Sequence, residues 1–210
     1  MTLSTEQTAR AYVARQADDA AMVRLEGLIG ALREENARQN LVAKATLEQV
    51  WQRHIADSAQ LLAHVPRETG AWLDLGSGAG FPGLVIAAIR PEIPVFLVES
   101  RSKRIAWLAR QTVELGIFNC HVLGRRAELV DSFPAGVISA RAFAPLPRLI
   151  ELSARFSTER TFWVLPKGRS AAQEVAMLPK HQREMFHVEQ SLTDAEAGII
   201  VGRGKLEARK

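Results

Sequence analysis

The chain has 210 residues, 47% hydrophobic and 24% charged, with a formal net charge of +4 at pH 7. That size and balance describe an ordinary globular protein, either one domain with an extension or two small domains, with enough apolar material for a real core. The clearest apolar run, Leu84 to Ile89, is far short of the roughly 20 residues a membrane helix needs.

The first twenty residues, MTLSTEQTARAYVARQADDA, are polar and charged, without the apolar centre of a signal peptide. Cys120 is the only cysteine, so no intrachain disulfide can form and a reducing, cytoplasmic setting is expected. Of the 27 basic residues, 21 are Arg and six are Lys. The arginine fork suits phosphate oxygens and base edges. An arginine-rich proteome would write the same composition, so what matters is where the charge sits.

Residues 1–64 read as a helical extension, and 65–210 as the main domain. Leu25, Leu28, Ile29 and Leu32 recur on one helical face. A second set, Leu47, Val50, Trp51, His54, Leu61 and Leu62, does the same, starting at Thr46 with capping-box spacing to Gln49. Between them the polar ENARQNLVAK reads as a turn. From residue 70 short β-rich runs alternate with helical segments. The expected strands are Ala71–Leu75, Val95–Glu99, Cys120–Leu123, Gly136–Ser139 and Thr161–Leu165. Pro82 opens one helix; Ile105, Leu108, Thr112 and Leu115 mark another, closed by Gly116. Such alternation predicts a parallel sheet covered on both faces. Two strand-like pieces near the C-terminus, with no helix between them, predict an antiparallel pair that closes it.

The stretch LDLGSGAGFPG, residues 73–83, places four glycines behind the first strand. Gly78, Gly80 and Gly83 formally satisfy the dinucleotide spacing, but in that motif the first glycine directly follows the strand, and here Gly76 and Ser77 intervene. Counting from Gly76 instead puts Phe81 where the third glycine belongs. The spacing that fits without slippage is D-x-G-x-G-x-G, from Asp74 through Gly76 and Gly78 to Gly80. An acidic residue at the strand end suits a cationic cofactor such as S-adenosylmethionine, and glycines let the backbone approach it. No Gly-Lys-Ser/Thr follows, which excludes a Walker-type phosphate loop.

Glu99 ends the second strand, where acidic residues take ribose hydroxyls; alternatively it pairs with Arg101 or Lys103. Glu128 and the Ala127 backbone follow the third strand, within reach of an adenine edge. A first-turn helix glutamate explains Glu128 equally well. Cations follow four successive strands: Arg101, Lys103 and Arg104; Arg125 and Arg126; Arg141; Lys167 and Arg169. Ligands of open α/β sheets bind at these ends, so a polyanion such as RNA is the expected partner. The plainer alternative is solvation, or pairing with Glu99, Glu128 and Asp131.

Missing motifs narrow the chemistry. SARAFAPLP after the fourth strand lacks the Asp/Asn-Pro-Pro-aromatic pattern of adenine amino methylation. Methylation at pyrimidine C5 needs a cysteine at the active edge, whereas Cys120 opens its strand and reads as core. His54, His64, His121, His181 and His187 show no metal spacing. A ring nitrogen with a free lone pair, such as guanine N7, needs no general base, and alignment and electrostatics then carry the transfer.

NLVA, RHIADS, LDLGSGAGFPGLVIA, VESRSKRIAWL, GRRAEL, SARAFAPL and LPKG occur in this order over roughly residues 36 to 170, with MFHVEQ beyond. Their combination resembles the bacterial small-subunit rRNA methyltransferase G family, RsmG or GidB. The resemblance implies a class I S-adenosylmethionine-dependent methyltransferase fold: an α/β, Rossmann-like, seven-stranded and mostly parallel sheet with an N-terminal helical extension. It also implies methylation of N7 of guanine 527 in the 530 loop of 16S rRNA, on the RNA or a 30S precursor, by a monomer. By position, Gly76, Phe81, Ala127, Glu128 and Arg141 would hold the cofactor, while Lys103, Arg126, Arg141 and Lys167 would meet the RNA. Pro166 departs from the plainer strand end of many members. His54, Asp57 and Ser58 serve packing or capping as readily as substrate contact. Phe143 could stack on a base, though burial under the sheet is the better expectation for a lone aromatic. The alternatives are an NAD-dependent Rossmann oxidoreductase and a noncatalytic RNA-binding protein.

Overall fold

A computed structural model describes residues 2–207. Helix α1 (Glu6–Ala14) starts in a reciprocal capping box between Thr5 and Thr8, and α2 (Asp19–Gln39) is capped by the Asp18 carboxylate. Leu25, Leu28, Ile29 and Leu32 are buried along one face of α2, as their spacing predicts. The helix runs into the first half of the expected turn and ends at Gln39. Glu35 and Asn36 are still helical and buried, because Arg110 donates to Glu35 Oε2 at 2.6 Å and the Val42 amide donates to Asn36 Oδ1 at 2.9 Å. Arg110 lies far outside the segment and Val42 beyond the end of the helix, so polar composition alone suggested a loop.

The next helical stretch is irregular: a 3-10 turn (Lys44–Leu47), a π-helix (Trp51–Ala56), the short α3 (Asp57–Ala59) and a second 3-10 turn (Gln60–His64). The expected Thr46 cap does not form. Thr46 lies inside the first 3-10 turn, and its hydroxyl donates to the Ala43 carbonyl at 2.7 Å. Capping passes to Glu6 of α1, whose carboxylate accepts from the Trp51 and Gln52 amides at 3.0 and 2.8 Å.

Seven strands follow: β1 (Trp72–Leu75), β2 (Val95–Val98), β3 (Cys120–Leu123), β4 (Val137–Ser139), β5 (Phe162–Lys167), β6 (Phe186–Gln190) and β7 (Gly198–Arg203). Their order is β3-β2-β1-β4-β5-β7-β6, with β7 antiparallel to both neighbours and the rest of the sheet parallel. The expected antiparallel pair is present, with the last strand inserted beside β5. Between the strands lie α4 (Gly83–Ile89), α5 (Ser102–Glu114), α6 (Leu146–Ser153), α7 (Ala171–Ala176) and α8 (Lys180–Arg183). Gly116, at φ +62°, ends α5: its amide and that of Ile117 donate to Val113 and Thr112 carbonyls, the paired pattern of a glycine-terminated helix.

Although most strand positions are buried, the two-residue period still sorts them. Trp72, Val95, Leu97, Val137 and Val164 face the extension, α4 and α5; Leu73, Leu75, Ile138, Trp163 and Leu165 face α6 and α7. Cys120 is buried at the start of β3, and burial, reinforced by the Asp74 charge, pushes its thiol up to about 12. Among the described residues no helix is long and apolar enough to cross a membrane.

Asp74 falls on the face of Trp72, and its register partner in β4 is Ser139. Trp72 Nε1 donates to Ser139 Oγ at 2.8 Å, and Ser139 Oγ donates to Asp74 Oδ1 at 2.8 Å. The Gly83 amide, at the head of α4, donates to Asp74 Oδ2 at 3.3 Å. Burial raises the Asp74 carboxyl from 3.8 to about 6, against the lowering effect of these hydrogen bonds and of Arg141. A folded-state value above the unfolded one means the native state holds the proton more tightly. The associated stability is therefore present in full below about pH 4 and lost as pH rises through about 6. Asp74→Asn is expected to remove this dependence, so its stability relative to wild type should rise by on the order of 3 kcal/mol between pH 4 and 7. Urea unfolding across that range checks it.

Candidate methyl-donor and acceptor site

The glycine loop leaves β1 at the point where strand order reverses, between β2 and β4, the crevice that open α/β sheets use for ligands. Gly76, Gly78 and Gly80 have φ of +67°, +57° and +103°, a region that side chains rarely adopt. The chain between them is pinned on every side. The Gly76 and Ser77 amides donate to the Val98 carbonyl at 2.9 and 3.1 Å, and Trp107 Nε1 donates to the Ala79 carbonyl at 3.0 Å.

Glu99 closes the loop against β2. The Gly78 amide donates to its Oε2 at 3.0 Å, and the Ser100 and Arg101 amides donate to its Oε1 at 2.7 and 2.9 Å. The alternative pairing of Glu99 with the Arg101 or Lys103 side chain is not the arrangement found; it is the Arg101 backbone that Glu99 holds. Three of roughly four acceptor positions on the carboxylate are thereby filled. A further one on Oε2 is left for a hydroxyl.

Two cavities lie beyond the strand ends. The smaller, about 250 Å³, is lined by Gly76, Glu99, Arg101, Arg104, Arg125 and Ala127 among others. The larger, about 700 Å³, opens between the helical extension, the ends of β4 and β5, and the β6–β7 turn; its lining includes Arg53, His54, Asp57, Arg141, Lys167 and Glu174. Ala142 and Phe143 line both.

The expected cofactor residues therefore divide. Gly76, Glu99 and Ala127 border the smaller cavity, and Arg141 borders the larger. Asp74 was expected to present its charge to a ligand. It is instead fully buried, with both oxygens engaged by Ser139 and Gly83. Gly78 is occupied with Glu99. Phe81 is 2% exposed and lies under the loop, stacked on His54 at 5.0 Å with Arg141 over its ring at 5.1 Å. Glu128 turns outward to Arg148 at 3.2 Å and Arg126 at 3.8 Å. Phe143, expected under the sheet, is half-buried against the loop.

Arg141 is held by the extension. Its Nη1 donates to the Arg53 carbonyl at 3.2 Å and lies 3.3 Å from Asp57 Oδ2, while Nη2 meets His54 Nδ1 at 3.3 Å. An arginine only donates, so Nδ1 accepts and the proton sits on Nε2. Nε2–H then donates to Thr46 Oγ1 at 2.7 Å. Burial first, then the charges of Arg141 and Arg53, push the imidazole down to about 3 and keep it neutral. Asp57 also accepts from Thr193 Oγ1 at 2.7 Å and Gln60 Nε2 at 3.0 Å, and Ser58 donates to the His54 carbonyl at 2.6 Å. RHIADS thus serves packing and the placement of Arg141 together. Only the spacing of His54 and Asp57 on one helical stretch hinted at this.

The basic rim is not uniform. Among the described residues, Arg101, Lys103, Arg104 and Arg125 have no ion-pair partner, and Arg126 is only loosely paired. Lys167 donates to Glu174 Oε2 and to the Ala144 carbonyl, both at 2.8 Å, with 9% of its side chain exposed, and Arg169 pairs with Glu196. Burial would raise Glu174, but donors from Lys167, Ser170 and the Leu146 amide outweigh it and hold the carboxyl below its ordinary value. Lys167, expected to meet RNA, is thus tied to Glu174 and Ala144. The uncompensated charge gathers at the ends of β2 and β3.

Thr46→Val keeps the shape of the side chain but leaves the His54 Nε2–H without its acceptor. It is expected to cost about 1 kcal/mol in urea unfolding, with Thr46→Ser close to wild type; equal stability of all three would refute the relay.

The GidB family model, described as rRNA small subunit methyltransferase G, matches residues 22–198. The Ribosomal RNA small subunit methyltransferase G of Erythrobacter litoralis (strain HTCC2594) is 63% identical over 203 residues, covering 97% of this chain and 98% of that protein. Among solved structures, precorrin-6y C5,15-methyltransferase of Geobacter metallireducens GS-15 has a similar fold, with a TM-score of 0.57 at 13% identity over 71% of this chain and 87% of its own. A mutant of MtNAS in complex with S-adenosylmethionine gives 0.55 at 13% identity, over 96% and 84%. The fold is that of class I methyltransferases. With most of its length matched, the chain belongs to the rRNA small subunit methyltransferase G family.

Proposed function

We propose that this methyltransferase carries the methyl group of S-adenosylmethionine to N7 of a guanine in 16S rRNA, guanine 527 of the 530 loop being the target. The observation that carries the reading is the pair of cavities meeting at Ala142 and Phe143 beyond the strand ends. The glycine loop and Glu99 border the smaller one, a fit for the donor. Gly76, at φ +67°, borders that cavity with bare backbone, and the spare acceptor position on Glu99 suits a ribose hydroxyl. Asp74, Gly78 and Phe81 shape the loop, while Ala127 and the backbone of Glu128 serve the adenine end.

The donor supplies an electrophilic methyl: the N7 lone pair forms the new N–C bond as the S–C bond breaks, and sulfur keeps that electron pair. No proton moves. The residues around the larger cavity suit such an acceptor. Asp57, Glu174 and Asp194 each already accept from protein donors, and His54 is neutral with both nitrogens engaged. Arg141 places a fixed cation at the junction, suited to orienting a phosphate or the O6 edge of the base. The unpaired Arg101, Lys103, Arg104 and Arg125 supply the approach for the RNA backbone, with Arg126 beside them.

Four outcomes are expected. Labelled donor incubated with unmodified 16S rRNA or partly assembled 30S particles should give label at guanine N7, located by mass spectrometry; binding without transfer would favour an RNA-binding role, and calorimetric binding of NAD but not S-adenosylhomocysteine would favour an oxidoreductase. Gly76→Asp should abolish S-adenosylhomocysteine binding while RNA affinity is retained. Arg125→Ala should reduce the salt slope of RNA binding by about one unit. Lys167→Ala should leave that slope nearly unchanged and cost about 2 kcal/mol of stability, because Glu174 loses its partner.

A further inference from the structure

We infer that Phe143 is a gate between the donor and acceptor cavities: its ring stands across the donor cavity, and when displaced it opens that cavity and offers its face to the target base. The inference rests on the donor occupying the glycine-loop cavity, as proposed above.

The ring lies directly on the first glycine of the loop. A Cβ on Gly76 would stand 2.3 Å from Phe143 Cδ2 and 3.0 Å from Cγ. Phe143 and Ala142 are also the residues that border both cavities, so the boundary between donor and acceptor is made of one side chain and its neighbour. Methyl transfer requires that boundary to be open, because sulfur, methyl and N7 must line up in contact.

Size points the same way. The donor cavity holds about 250 Å³, below the roughly 300–1,000 Å³ of pockets that bury a whole organic ligand. The acceptor cavity, about 700 Å³, has room to receive the ring. Local structure permits the movement. Ala142 stands at φ +51° in the irregular link between β4 and α6, and Phe143 is only half-buried, packed at the edge of the core that α6 covers. Its neighbour Arg141 is tied to Asp57, His54 and Arg53, so the ring can turn while the cation stays.

Energetically, a ring that occupies the donor cavity lowers the apparent cofactor affinity by the fraction of time the cavity is open. Once turned outward, its face is a stacking platform, which proteins commonly provide for an unpaired base.

The test compares wild type with Phe143→Ala, Phe143→Leu and Phe143→Tyr, each first shown to fold by thermal unfolding. In calorimetry, the Ala and Leu variants should bind S-adenosylhomocysteine at least threefold more tightly than wild type. Their methyl transfer to 16S rRNA or 30S particles should fall at least tenfold in kcat/KM, while Tyr retains transfer. A residue that merely supports the fold would lower both. Should Ala not fold, Leu alone decides, since it keeps apolar bulk but no flat face. Unchanged or weaker S-adenosylhomocysteine binding in a folded variant overturns the gate, and full transfer by Leu overturns the stacking face. Failure of wild type itself to bind S-adenosylhomocysteine would instead remove the donor-site reading beneath it.

Discussion

A carboxylate without exposed surface sets the geometry on which the remainder depends. Asp74 ties β1 to β4 through Ser139 and holds the first amide of α4. The loop between is thus anchored at both ends before any ligand arrives. Burying that charge is unfavourable in itself, as its raised proton affinity shows. Hydrogen bonds from Ser139 and Gly83 offset part of that cost and fix the carboxylate in one position. The glycines then take left-handed conformations, and Glu99 fastens the far side.

The helical extension belongs to this machinery as much as to the core. The largest hydrophobic cluster runs without a break from Leu25, Leu28 and Leu32 to Trp72, Leu84 and Val95. From the same extension His54 and Asp57 reach across to Arg141. A cation proposed to orient an acceptor is useful only if it does not have to reorganise. Here a neutral imidazole, a carboxylate and an aromatic face constrain a single guanidinium.

Much of this was legible in the residues. Strands and their helices announced themselves because apolar runs, glycine and proline punctuate them locally, and the frame of the glycine loop against β1 pointed away from a dinucleotide. What stayed hidden depends on partners distant in sequence. Nothing near Asp74 says that Ser139 will stand opposite it. Lys167 looks like a free cation until α7 folds back to bring Glu174 beside it. Glu128 faces solvent because Arg148 of α6 draws it outward. Phe143 reads as core because a lone aromatic usually is, and its seat on Gly76 appears only once β4 lies next to β1.

The β6–β7 turn carries a consequence for how the protein comes into being. Thr193 and Asp194, near the end of the chain, bond to Asp57 and Arg53 near its beginning, and the Leu3 amide donates to the Leu192 carbonyl. The larger cavity has walls drawn from Leu41 to Ile199. Contacts of such sequence separation form late, after the loops between them have closed. The cavity therefore exists only once residues 41–57 and 191–199 have met, so its walls form together with the long-range packing of the fold and not before it.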